Sequence, residues 1–133
     1  MRDNIDYASL ARFRFVLRRF LAFSAAQAHA AGIEPRQHQL LLSLSGLPSE
    51  IEPTIATLAD DLMIRHHSAV ELVNRMANNE LVYRSRGGSD RRVVLVRITP
   101  KGRSILRQLS KAHQAELRQT GPALVLALER VLA

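Results

Sequence analysis

The sequence predicts a mainly α-helical protein that carries one small β-hairpin. Three observations point there. Apolar residues recur at spacings of three and four through most of the chain, which is the helical period. One stretch breaks that habit: Val93, Val94, Val96 and Ile98 are β-branched, and Gly87-Gly88-Ser89-Asp90 just before them can form a tight tip between two strands. A short helix, a turn and a second helix stand directly before this hairpin, within residues 54–103. The rest of the chain reads as a frame that presents this unit, and presents it twice.

The chain has 133 residues, 47% of them apolar, enough for one core in one domain or in one subunit of an intertwined oligomer. The absence of Trp and the wealth of Leu, Ala and Val suit an α-rich protein. The formal charge is +7, carried almost wholly by Arg, since Lys occurs only at Lys101 and Lys111. Arg makes bidentate contacts to phosphate and guanine that Lys does not, so a polyanionic partner is favoured. With no Cys, disulfides and thiol chemistry are excluded. No apolar run is long enough to span a bilayer, and the first residues, with early acids, lack the apolar heart of a signal peptide. The expectation is a cytoplasmic protein without membrane contact.

Residues 5–31 read as one long helix, with Leu10, Phe13, Leu17, Phe20 or Leu21, and Ser24 along one side and Gly32 as its stop. So long a helix in so small a chain calls for a partner subunit. Pro35 opens a second helix, to about 45, with Glu34 at its positive end. Residues 48–53 form a loop with a proline at each end. The third helix, 54–62, buries Ile55, Leu58, Ala59 and Leu62, and Met63-Ile64-Arg65 is the turn. The fourth, from 65 to about 80, buries Ala69, Leu72, Val73 and Met76, followed by Leu81. It leaves His67, Ser68, Glu71, Asn74, Arg75 and Asn78 on a polar face. Residues 82–86 and 92–99 read as paired strands. Thr99 caps a fifth helix that has Pro100 in its first turn and runs to about 120. Gly121-Pro122 ends it and starts a last helix, 123–132, apolar almost all round and so expected to be buried at a subunit interface.

The chemistry of residues 54–103 is that of duplex recognition. A major groove admits one α-helix, read by hydrogen-bonding residues near its start. Here these are Arg65, His66, His67 and Ser68, with Glu71 and Arg75 one and two turns on. Arg75 and His67 suit guanine or phosphate. Glu71 can accept from a cytosine amine, or simply pair with Arg75 in solvent. Arg84, Arg86, Arg91, Arg92 and Arg97 crowd the hairpin, whose tip can lie along a minor groove. The bland alternative is a solvated, charged hairpin.

The segments TIATLADDL, RHHSAVELVNRMANNELVYR and SDRRVVLVRITPKGR resemble the winged helix–turn–helix of the MarR family of transcriptional regulators. The order of flanking helices extends the resemblance over nearly the whole chain. It implies an interlocked helical dimer, with 1–34 and 104–133 as the dimerisation region and 35–103 as the DNA-binding region. Asp90 and Arg92 match the family's Asp-x-Arg wing motif, in which the acid orients a minor-groove Arg, and Arg91 becomes a second contact. The resemblance implies a repressor of a near-palindromic operator, released by a small phenolic or anionic effector. Phe13, Arg14, Leu17, His38 and Leu42 are candidates for the effector crevice. Met63 departs from the Gly frequent in the turn, and Arg65 from the usual Ser or Thr cap.

Other readings compete. No catalytic order of Ser, His and Asp, no paired carboxylates and no phosphate-cradling loop appear, so no enzyme and no cofactor are expected. A metal-responsive regulator would draw on His29, His38, His66, His67 and His113, but without Cys it has few ligands. A winged-helix protein-interaction module without specific DNA binding is the remaining alternative.

Overall fold

The structure is a computed structural model that describes residues 4–88 and 90–133. Ser89, which the sequence places at the hairpin tip, lies outside the described residues. Five helices and one hairpin follow in the order α1 (Tyr7–Ala30), α2 (Pro35–Gly46), α3 (Ile55–Leu62), α4 (His66–Asn78), β1 (Val82–Gly87), β2 (Asp90–Ile98) and α5 (Pro100–Leu132).

Each helix starts and stops for a local reason. Asp6 caps α1 by accepting the Ser9 N–H at 3.0 Å. At its far end Gly32 is left-handed (φ 83°), the Gly32 N–H bonds His29 O and the Ile33 N–H bonds Ala28 O, which satisfies the last carbonyls. Pro35 stands in the first turn of α2, and the Glu34 N–H donates to Gln37 Oε1 at 3.0 Å. Thr54 is the cap of α3 rather than its first residue, accepting the Thr57 N–H at 3.1 Å. The fourth helix ends at Asn78, two residues before the expected Glu80. Glu80 is itself left-handed (φ 60°), and the Leu81 N–H turns back to Met76 O at 2.9 Å. This swings Leu81, 1% exposed, into the core.

The core lies where these elements converge: Ala28 from α1, Leu40 and Leu41 from α2, Leu58 from α3, Leu72, Val73 and Met76 from α4, Val82 and Val96 from the hairpin, and Leu106 and Leu109 from α5. The strands pair antiparallel from Val82↔Ile98 to Arg86↔Val94, then shift register to Gly87↔Asp90. A bridge Thr54↔Leu95 and a bond from the Val96 N–H to Pro53 O (2.9 Å) tie β2 to the segment before α3.

One expectation is corrected. Residues 100–132 form a single helix, not two broken at Gly121-Pro122. Proline in a helix removes one bond and crowds the carbonyl four residues back, a cost of about 3 kcal/mol. The helix survives it because α1 runs alongside on both sides of the proline. Leu117 before it and Ala123 and Leu124 after it share one cavity wall with Phe20 and Phe23, and Ala127 is buried beyond. The terminal turns are not buried in the single chain: Val125, Leu126, Leu128 and Leu132 are all exposed.

Candidate nucleic-acid interface

The turn between α3 and α4 sets the angle of α4. Met63 takes the left-handed conformation (φ 57°), and the Ile64 N–H returns to Ala59 O at 3.0 Å. Arg65 then stands at the cap position of α4 in extended conformation and makes no side-chain cap bond. The first N–H groups of α4 are therefore left to solvent or to an anion.

α4 divides as its sequence requires. Ala69, Leu72, Val73 and Met76 are buried. Arg65, His66, His67, Glu71, Asn74, Arg75 and Asn78 are exposed, and Ser68 is half-buried. Glu71 and Arg75 form no ion pair; among the described residues the ion pairs are His29–Glu34 and Arg92–Asp90. Arg75 instead lines a shallow groove with Glu34, Arg36, Gln37 and Leu72, so the basic face continues onto the first turn of α2. Sequence reasoning missed Arg36, because no local pattern brings it beside Arg75.

The wing is held at both ends. At its base the Arg84 guanidinium bonds the Asn74 side chain of α4, joining hairpin to helix. Thr99 Oγ1 donates to the carbonyls of Glu80 (2.6 Å) and Leu81 (3.0 Å), and Lys101 Nζ donates to Asn79 O at 3.0 Å. At the tip, Gly87 and Gly88 take φ values of 146° and 73°, where a side chain is strained. Asp90 then accepts the Arg92 N–H at 2.9 Å and both Nε and Nη2 of Arg92 at 3.3 Å. The Arg92 backbone N–H, and next its guanidinium, hold the Asp90 carboxyl below the ordinary carboxylate range. Arg92 remains 92% exposed in its side chain, so the pair aims the guanidinium outward rather than burying it. Arg84, Arg86, Arg91 and Arg97 are likewise exposed. An exposed polar helix face and a basic hairpin tied to the same helix can contact adjoining grooves of a duplex.

The five effector candidates differ in exposure. Phe13 and Leu17 are half-buried on α1, Arg14 and Leu42 are exposed, and His38 is buried. A cavity of 380 Å³ opens elsewhere between α1 and α5, lined in part by Arg12, Phe15, Arg19, Phe23, Glu116 and Leu124. Among the described residues no three His, Asp or Glu side chains come together as metal ligands. Nor is any described helix long and apolar enough to cross a membrane.

Comparison with known proteins sets this geometry beside others. Residues 31–93 match the family model described as the MarR family. Over 65 residues, 49% of this chain, the sequence is 34% identical to the uncharacterized HTH-type transcriptional regulator YsmB of Bacillus subtilis. That match spans 44% of the relative, so the chain spans less than half the length of the curated relative it matches. Among solved structures, AbsC, a MarR family transcriptional regulator from Streptomyces coelicolor, superposes with a TM-score of 0.74 at 21% identity, covering 90% of this chain and 80% of that one. A mutant of S. aureus MepR bound to an oligodeoxyribonucleotide gives 0.69 at 19% identity, over 88% and 82% of the two chains. CouR from Rhodococcus jostii, bound to p-coumaroyl-CoA, gives 0.67 at 20% identity, over 80% and 73%. At these identities the likeness to the solved structures is one of fold.

Proposed function

We propose that this chain, whose residues 31–93 match the MarR family model, is a MarR-type, sequence-specific repressor that binds a near-palindromic DNA operator as a homodimer. The observation that carries the reading is the wing: Asp90 holds Arg92 outward from a hairpin that Arg84 ties to the polar face of α4. In this account Arg65, His66, His67 and Ser68 enter the major groove first, with Glu71 and Arg75 reading further along it. Arg86, Arg91 and Arg92 follow the minor groove and its phosphates. Residues 35–103 supply DNA binding, while 1–34 and 104–133 supply the dimer. A twofold pair then reads half-sites about 10 bp apart. The protein works where the DNA is, in the cytoplasm.

Release by a small phenolic or anionic effector belongs to the same proposal. The ligand-bound neighbour described above lends it support by fold alone. An effector in the crevice between frame and reading unit acts only by binding one spacing of the two reading helices better than the other. Phe13, Arg14, Leu17, His38 and Leu42 are the residues proposed to meet it.

The test is a fluorescence-anisotropy titration on the promoter DNA flanking the protein's own gene, against scrambled DNA, at two salt concentrations. Tight, selective binding of two subunits per site, weakening steeply with salt, is expected. Equal and weak binding to both DNAs would overturn the reading and favour a protein-interaction module.

A further inference from the structure

The most unusual buried chemistry lies away from the DNA face, where α2 meets α1 and α5. His38 on α2 is 3% exposed, and its Nδ1 is a buried polar atom with no hydrogen-bond partner. Its ring lies 4.9 Å from the ring of His113 on α5. His113 is fixed from both sides: Nδ1 stands 2.6 Å from Leu109 O and Nε2 2.8 Å from Ser24 Oγ on α1. A carbonyl only accepts, so Nδ1 of His113 carries the hydrogen and Nε2 of the neutral ring accepts from the serine. Phe20 and Phe23 of α1 close the cluster edge-on to His113. Three helices thus meet on two imidazoles and a hydroxyl, deep in an otherwise apolar junction.

We propose that His38 is a proton-sensitive latch between α2 and the α1/α5 frame, closed while its imidazole is neutral and opened by its protonation. A protonated His38 would place a charge beside a second imidazole. It would also place an N–H at Nδ1 where no acceptor stands. Among the described residues no acid is paired with His38. α5 brings His113, and α1 brings Ser24, Phe20 and Phe23. α3 commits Asp61 to Ser43 at the other end of α2, and α4 brings Arg75, a like charge, to the groove beside Gln37. Of the acids around this junction, Glu34 is paired with His29 near the surface at 3.3 Å, and Glu116, three residues after His113 on α5, lines the α1/α5 cavity with Phe20 and Phe23.

The direction in pH follows from linkage. Burial, and next electrostatic repulsion from the neighbouring imidazole of His113, lower the proton affinity of His38 below its ordinary value of 6.5. Once opened to water, His38 regains that value, so the opened form takes the proton first as pH falls. The latch is at full strength above the ordinary value. It is lost progressively from there down to the lowered value of the closed form. In the regulator proposed above, acidification would loosen the reading unit from the frame that sets its spacing. The latch itself rests on the fold and not on DNA binding.

The test is hydrogen exchange of α2 amides in the wild-type protein between about pH 7.5 and about pH 5.5, corrected for intrinsic exchange, beside His38→Phe and His38→Gln. Uptake of one proton on opening raises the wild-type opening constant about tenfold per pH unit below the ordinary histidine value, and the variants lose that slope. Wild-type protection that does not change with pH, or an equal slope in a folded His38 variant, would overturn the latch. If neither variant folds, the wild-type slope decides alone. DNA titration is no part of this readout, so its failure leaves the regulator untouched, and the reverse.

Discussion

Gly102 has no room for a side chain. A Cβ built there would stand 2.2 Å from the Leu81 carbonyl oxygen, a backbone atom that cannot swing away. The residue lets the first turn of α5 lie against the α4–β1 turn, where Thr99 both caps the helix and donates to Glu80 and Leu81. Gly102→Ala should cost about 1–3 kcal/mol through overpacking, read as a lower denaturant midpoint at unchanged slope; an unmoved midpoint would mean that α5 can shift. The Thr-Pro-x-Gly string was visible in the sequence as a helix start, but the need for glycine was not, because its neighbour is some twenty residues away. Met63 is the opposite case. The sequence marks it as a departure from Gly, and the structure finds it left-handed and 91% exposed. Its strain, about 1–2 kcal/mol, is offset by nothing its own side chain buries.

At the scale of elements, the amphipathic pattern of α4 decided both of its faces in advance. Its four core residues and its polar residues fall where a period of 3.6 puts them. The wing was legible for a different reason: a β-branched run behind two glycines has few alternatives. Its anchorage was not legible, since Pro53 and Thr54 pair with β2 across forty residues. Nor was the unbroken α5, because a Gly-Pro pair ends most helices and only packing against α1 carries this one through. Two substitutions separate the functions of these elements. Arg92→Ala should weaken operator binding by about 1–3 kcal/mol and reduce the salt slope by about 1, with the melting temperature unchanged, because its guanidinium is exposed. Arg75→Ala should change the preferred sequence. A uniform loss across sequences would reassign Arg75 to phosphate, and unchanged affinity in Arg92→Ala would remove the wing from the account. Asp90 stays ionised throughout the neutral range. Its lowered proton affinity means that the orienting pair is present above the ordinary carboxylate value and lost only as pH falls through the lowered one.

For the whole molecule, the decisive feature is an apolar face without a cover. Val125, Leu128 and Leu132 recur on one side of α5 and are 56%, 42% and 75% exposed, while Leu10 and Leu21 of α1 are 43% and 55% exposed. A second copy of the chain is the cover proposed here. Val125→Glu combined with Leu128→Glu should yield a folded monomer in sedimentation. Losing the paired half-sites should weaken operator binding by more than about tenfold. A wild-type protein that is monomeric at micromolar concentration would remove the dimer and the palindrome together.

Local signals in the sequence determined the first four helices, the Thr99 cap, the hairpin and the two faces of α4, because period, capping and turn chemistry act over a few residues. The resemblance to a family motif marked Asp90 and Arg92, whose pairing spans two positions. Tertiary structure alone decided where long-range neighbours fall: Leu81 over Gly102, Asn74 on Arg84, Arg36 beside Arg75, α5 running on past Pro122, and His38 against His113 in a junction of three helices. Those contacts depend on how the helices pack, and packing is set by the whole core at once rather than by any window of the chain.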